Sequence, residues 1–180
     1  MRDRHKLLLP YDGEPLVRAP VRAAIEAGFD RVGVVVGREP RVAEALAGLP
    51  IDLIPNLDAA EGVSSSVRCA SRWAGERADA VLLLLADEPG IRTDPIRSLL
   101  AAWTRLPVAA ARCRYADRTG HPVIVPAPLP TAVTLDGDQG LAAWIASLGG
   151  AALEWAVEGP APVDVDTEED YLAALARLPH

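Results

Sequence analysis

Residues 78–90 read ADAVLLLLADEPG. The apolar run from Ala80 to Ala86 has the length of a strand and is far too short to cross a bilayer. A strand that is apolar at every position, not at alternate ones, has both faces covered. That is the condition of a parallel strand between two layers of helix. The run stops at Asp87 and Glu88, and Pro89 and Gly90 supply turn chemistry. In open α/β sheets ligands bind beyond the carboxyl ends of the strands. An acid placed directly after the most apolar strand is therefore the first candidate for function.

Outward from this strand, helical and strand patterns alternate. RVGVVVG (31–37), IDLIP (51–55), PVAAARCRY (107–115) and HPVIVP (121–126) read as strands, the last two around a glycine-bearing turn. Apolar residues recur at helical spacing over 15–29, closing at Gly28, and over 41–49 and about 65–73. Residues 93–106 predict a helix with Thr93 or Asp94 as N-cap and a proline in its first turn. Residues 137–150 predict a helix opened by Asp138 and closed by glycine. In PVDVDTEEDYLAALARL (162–178), Thr167 and Asp170 form a T-x-x-D capping pattern before a last helix. This order predicts an α/β fold: three layers, Rossmann-like, with a mostly parallel sheet in a single domain spanning 1–180.

Composition narrows the function. The chain has 180 residues and a formal net charge of -7, with scattered arginines and no basic stripe, so a nucleic-acid partner is not expected. Two cysteines, Cys69 and Cys113, stand far apart without ligand spacing, which fits free thiols in a reducing cytoplasm. No secretory leader or membrane span is legible, and a cytoplasmic protein is expected. Lys6 is the only lysine in the chain, and it precedes the apolar stretch LLLP.

Three polar stretches follow strands: NLDAAEGVSSS (56–66), ADEPG (86–90) and DVDTEED (164–170). Asp87 stands where a hard cation could be held, although DEPG is also ordinary turn chemistry. Asp164 and Asp166 alternate around Val165, so on an extended chain they share a face. Two carboxylates on one face suit Mg²⁺, which keeps sites for water and phosphate. Asp166 could equally help to start the last helix. Ser64, Ser65 and Ser66 lie at a helix start, where N–H groups and hydroxyls can grip an anion or simply cap. Gly120, His121 and Pro122 form a turn with a histidine, and Gly137 and Asp138 open a further helix. No nucleophile elbow of the G-x-S-x-G kind is present.

Taken in order, Lys6 before LLLP, EGVSSSVR, LLLLADEP, RTGHPVIV, LDGDQG and VDVDTEEDY resemble the MobA-like nucleotidyltransferases over roughly residues 4–175. The branch most similar is that of the molybdenum cofactor cytidylyltransferases, with K-L-L-L-P, G-M-S-S-S-L, L-A-D-Q-P, G-H-P, L-x-G-D-x-G and D-I-D-T-P-E-D-Y. Val67, Glu88 and Glu168 depart from the usual Leu, Gln and Pro. The resemblance implies that CMP passes from CTP to a phosphorylated, pterin-type acceptor, with pyrophosphate leaving. It implies Asp87 as the main Mg²⁺ ligand, Asp166 as a second and Asp164 as a further carboxylate, with Lys6 on the nucleotide phosphates. Ser64, Ser65 and Ser66 would line the base or substrate pocket, and Gly120, His121, Pro122, Gly137 and Asp138 the acceptor side.

Family members begin with a strand and a glycine-rich phosphate loop ending in R-M-G. Aligned on Lys6, Met1–Asp3 fall at R-M-G, with Asp3 in place of the glycine. The expectation is therefore a domain that is N-terminally truncated relative to the family, lacking the first strand and phosphate loop, either because the true start codon lies upstream, the favoured reading, or because this is a degenerate member, and with weak or no nucleotide binding. Neighbouring strands would then pair differently or leave backbone groups unpaired. Two other readings share the scaffold. One is an oxidoreductase of the nicotine blue type using reduced nicotinamide, against which the lack of G-x-G-x-x-G counts. The other is a non-catalytic relative that binds a molybdoenzyme.

Overall fold

The computed structural model describes residues 5–106, 108–130, 133, 135 and 140–178. In chain order the elements are β1 (Pro10–Tyr11), β2 (Glu14–Pro15), α1 (Arg18–Ala27), β3 (Gly33–Val36), α2 (Pro40–Ala45), β4 (Asp52–Pro55), α3 (Val63–Ala74) and β5 (Ala80–Leu83). There follow α4 (Thr93–Trp103), β6 (Ala110–Arg114), β7 (Thr119–Pro126), α5 (Gly140–Ser147), β8 (Ala152–Ala156) and α6 (Glu168–Leu175). Short 3₁₀ turns, one of them Lys6–Leu8, join several of these.

The strands form a small hairpin β1–β2, a parallel pair β3–β4 and a four-stranded sheet in the order β5–β7–β6–β8. In the larger sheet β7 runs antiparallel to both β5 and β6, whereas β6 and β8 are parallel. Three of its four strands thus share one direction, but two of its three pairings are antiparallel because the reversed strand β7 stands inside the sheet, so the sheet is mixed where a mostly parallel one was expected. The reversal follows from the short β6–β7 connection, which can only return antiparallel.

The layers follow from side-chain alternation. Val123 and Val125 on β7 pack with Val67 of α3 and with Leu141 and Ile145 of α5. Ile124 between them turns the other way, to Leu99 of α4. Ala110 and Ala111 on β6 divide between the same two clusters. Val36 meets Val21 of α1, and Val42 and Leu46 of the α2 region, on one side. On the other, Gly33 admits the Trp73 ring of α3, which lies about 3.0 Å from where a Cβ would stand.

Two expectations need correction. The apolar strand β5 is half-buried throughout, not enclosed. It is an edge strand of its sheet, and among the described residues no backbone hydrogen bond joins it to β3, the edge of the other sheet. The N-cap of α4 is Arg92, with no side-chain cap bond. Thr93 is already helical and donates instead to Glu26 at 3.3 Å. By contrast, α6 starts with the expected capping box: Thr167 accepts from Asp170 N, and the Asp170 carboxylate accepts from Thr167 N. Among the described residues no helix is long and apolar enough to cross a membrane.

Candidate active site

Asp87 lies just beyond the carboxyl end of β5. Its carbonyl accepts a hydrogen bond from Val165 N at 3.0 Å, which ties residues 164–166 alongside it. Val165 is fully buried among Tyr11, Leu16 and Ala174. With Val165 turned inward, Asp164 and Asp166 on either side of it are exposed. The alternation read from the sequence therefore holds, although this segment is extended coil and not a ladder strand. One carboxylate oxygen from each of Asp87, Asp164 and Asp166 lies within 4.8 Å of the others.

Lys6 enters from the opposite end of the chain. Its 3₁₀ turn is fixed by two backbone bonds, Leu9 N to Lys6 O at 3.2 Å and Val17 N to Leu7 O at 3.0 Å. From there Nζ donates to Asp87 Oδ2 and to Asp166 Oδ1, each at 2.6 Å. Burial alone would lower the Lys6 pKa, but hydrogen bonds to Asp166 and Asp87, and their charges, raise it above its ordinary value. Asp164 is pushed the other way for an acid. Loss of water around its carboxyl group, then the charges of Asp87 and Asp166, raise it to about 6.

The three carboxylates fit a divalent cation by their chemistry. All the donors are hard oxygens, and they converge on a point where the structure already places a positive charge. Exchange of the Lys6 ammonium for a metal ion would leave the same oxygens facing inward.

Glu88, which the sequence reading left undecided, is fully buried at 1% exposure. Its carboxylate lies 3.4 Å from Arg118 Nη2 and 3.4 Å from His121 Nδ1, and Oε2 has no hydrogen-bond partner among the described residues. Arg118 also donates to Pro162 O at 2.7 Å, and Tyr115 donates to His121 O at 2.6 Å. His121 thereby faces Glu88, the residue after Asp87, and Pro122 is buried. A cavity of about 370 Å³ adjoins this corner, with Arg118, Pro162, Asp164 and Arg177 in its wall.

Ser64 and Ser65 are buried at the start of α3. The Asn56 side chain, at the end of β4, donates to Ser65 Oγ at 2.8 Å and Ser66 Oγ at 3.1 Å. Ser65 also donates to Gly62 O at 2.8 Å. Gly137 and Asp138 lie outside the described residues. Sequence reasoning did not single out Asn56 or Arg118. Asn56 was legible as the first polar residue after a strand, whereas nothing local marks Arg118.

The family description of the MobA-like NTP transferase domain matches residues 1–152. The chain belongs to the MobA-like NTP transferase family. A nicotine blue oxidoreductase of Paenarthrobacter nicotinovorans is 31% identical over 143 residues, covering 75% of this chain and 70% of that protein. The manganese complex of Rv0371c from Mycobacterium tuberculosis H37Rv superposes with a TM-score of 0.82 at 30% identity, over 96% of this chain and 92% of that one. A nucleotidyl transferase from Methanothermobacter thermautotroptrophicus gives 0.80 at 26% identity, over 96% and 84%. As a MobA-like chain this protein is a nucleotidyltransferase, of a family that binds nucleoside triphosphates, and a divalent metal suits its site.

Proposed function

We propose that the protein moves CMP from CTP onto a phosphorylated acceptor of the molybdopterin type in the cytoplasm, with Mg²⁺ held by Asp87, Asp166 and Asp164. The observation that carries this reading is the convergence of three carboxylates and the only lysine at the carboxyl end of β5. An oxygen of the acceptor phosphate forms a bond to the α-phosphorus. The bond from that phosphorus to the α,β-bridging oxygen breaks, and pyrophosphate leaves with the electron pair. No protein nucleophile is needed, so catalysis rests on positioning and charge. When bound, the cation neutralises the triphosphate.

The chain's own residues do the rest. Lys6 supplies a point charge to the phosphates. Gly120, His121 and Pro122, with Gly137 and Asp138, shape the acceptor side. The Ser64–Ser66 turn, held by Asn56, forms the wall toward the base. Mg²⁺-dependent pyrophosphate release from CTP with a molybdopterin acceptor tests the reading, with GTP as comparison. Turnover without Mg²⁺, or none with any nucleotide, would count against it. The nicotine blue oxidoreductase relative supports a second reading. Oxidation of NADPH by a quinone-like dye, without pyrophosphate, would favour that one instead.

A further inference from the structure

We propose that Lys6 is an internal counter-ion that occupies the metal position, so that the site refuses a free divalent cation and admits the cation together with its nucleotide. The inference rests on the reading of Asp87, Asp164 and Asp166 as the metal carboxylates. One nitrogen stands 2.6 Å from Asp87 Oδ2 and 2.6 Å from Asp166 Oδ1. A hard divalent cation would use the same two oxygens, at roughly 2.0–2.6 Å. An ammonium and a dication cannot share them: at such separations their repulsion is large even at the effective dielectric of a protein surface.

The geometry also provides for release. The Lys6 backbone is fixed in its turn, but its side chain is 31% exposed and ends a flexible four-carbon stem. The ammonium can therefore swing while the turn stays in place. A free cation would displace Lys6 from its two carboxylates and leave it only the more distant Asp170, whose carboxylate is already engaged in the capping box of α6. A cation arriving on a triphosphate brings phosphate oxygens for the displaced ammonium. Metal and nucleotide should then bind with positive coupling, and the coupling must be reciprocal.

Calorimetric titration with Mn²⁺, with and without CTP, on the wild type, Lys6→Met, Lys6→Gln and Asp87→Asn tests this. Thermal melting of each variant in parallel shows that it is folded. With Lys6 removed, free Mn²⁺ should bind about tenfold tighter or more, a change of about 1.4 kcal/mol. The affinity gain that CTP gives Mn²⁺ should shrink by a similar factor. Asp87→Asn should lose Mn²⁺ binding. Mn²⁺ should also raise the melting temperature of Lys6→Met and Lys6→Gln more than that of the wild type, by mass action. If both Lys6 variants bind free Mn²⁺ no more tightly than the wild type, the counter-ion role is overturned while the metal site stands. If no form binds Mn²⁺ with or without CTP, the metal reading and the counter-ion role fall together.

Discussion

Asp164 is the residue with the clearest pH signature. Its carboxyl group is raised to about 6 by loss of water and by Asp87 and Asp166. A raised acid favours the folded state while protonated. That contribution is present below the unfolded value near 4 and is lost as pH rises through about 6. Asp164→Asn removes the ionisation cost. Because the residue is exposed, the gain is discounted to roughly 1 kcal/mol, or about 2–4 °C. Melting curves should show the variant above the wild type at pH 7.5, with the gap closing below pH 4. A constant gap across that range would contradict the assignment. Asn56 is the contrasting case, because its value is structural and not ionic. Its buried amide donates to Ser65 and Ser66, and its Oδ1 accepts from Asp58 N at 3.0 Å. Asn56→Ala should cost about 1–3 kcal/mol in urea unfolding. The acids Asp87, Asp164 and Asp166 were legible because each is polar at a place where strand chemistry asks for none. Glu88 was not, since whether a turn acid faces solvent or is buried under an arginine depends on residue 118, thirty positions away.

At the scale of elements, local signals decided what the sequence could tell. The capping box of α6 and the closing Gly28 of α1, at φ 88, are short-range chemistry, and both stand as read. The cap of α4 shifted by one residue because Thr93 bonds to Glu26 on α1, a tertiary partner invisible locally. The β1–β2 hairpin was overlooked despite its Asp12-Gly13 turn, a strong two-residue hairpin signal. Both turn residues have positive φ, 50° at Asp12 and 78° at Gly13. A Cβ at Gly13 would meet nothing within 4 Å, so a substitution there is penalised by backbone conformation alone. Gly13→Ala should therefore destabilise by about 1 kcal/mol in chemical denaturation. A neutral result would mean that the turn relaxes freely. The hairpin matters to the site because it stands between Lys6 and α1, and Leu9 and Leu16 are bonded across its base.

At the scale of the whole molecule, the layered α/β architecture was legible because alternation of elements dictates it. The pairing of the strands was not. Two sheets lie under the shared helix α3, with the edges of β3 and β5 unjoined among the described residues. An apolar run announces a covered strand but does not name the strand beside it, and that non-local choice escaped the reading. The site stands at the end of β5 all the same, because its carboxylates are fixed by the Asp87–Val165 backbone bond and not by the sheet's far edge. On the proposed reading, nucleotide binding runs through a cation held by Asp87, Asp164 and Asp166. The measurement that tests it most directly is calorimetric titration of the 180-residue chain with CTP, with and without Mg²⁺, beside Asp87→Ala. CTP should bind weakly, only in the presence of Mg²⁺, and not at all to Asp87→Ala. CTP binding that is indifferent to Mg²⁺, or that survives the loss of Asp87, would contradict it.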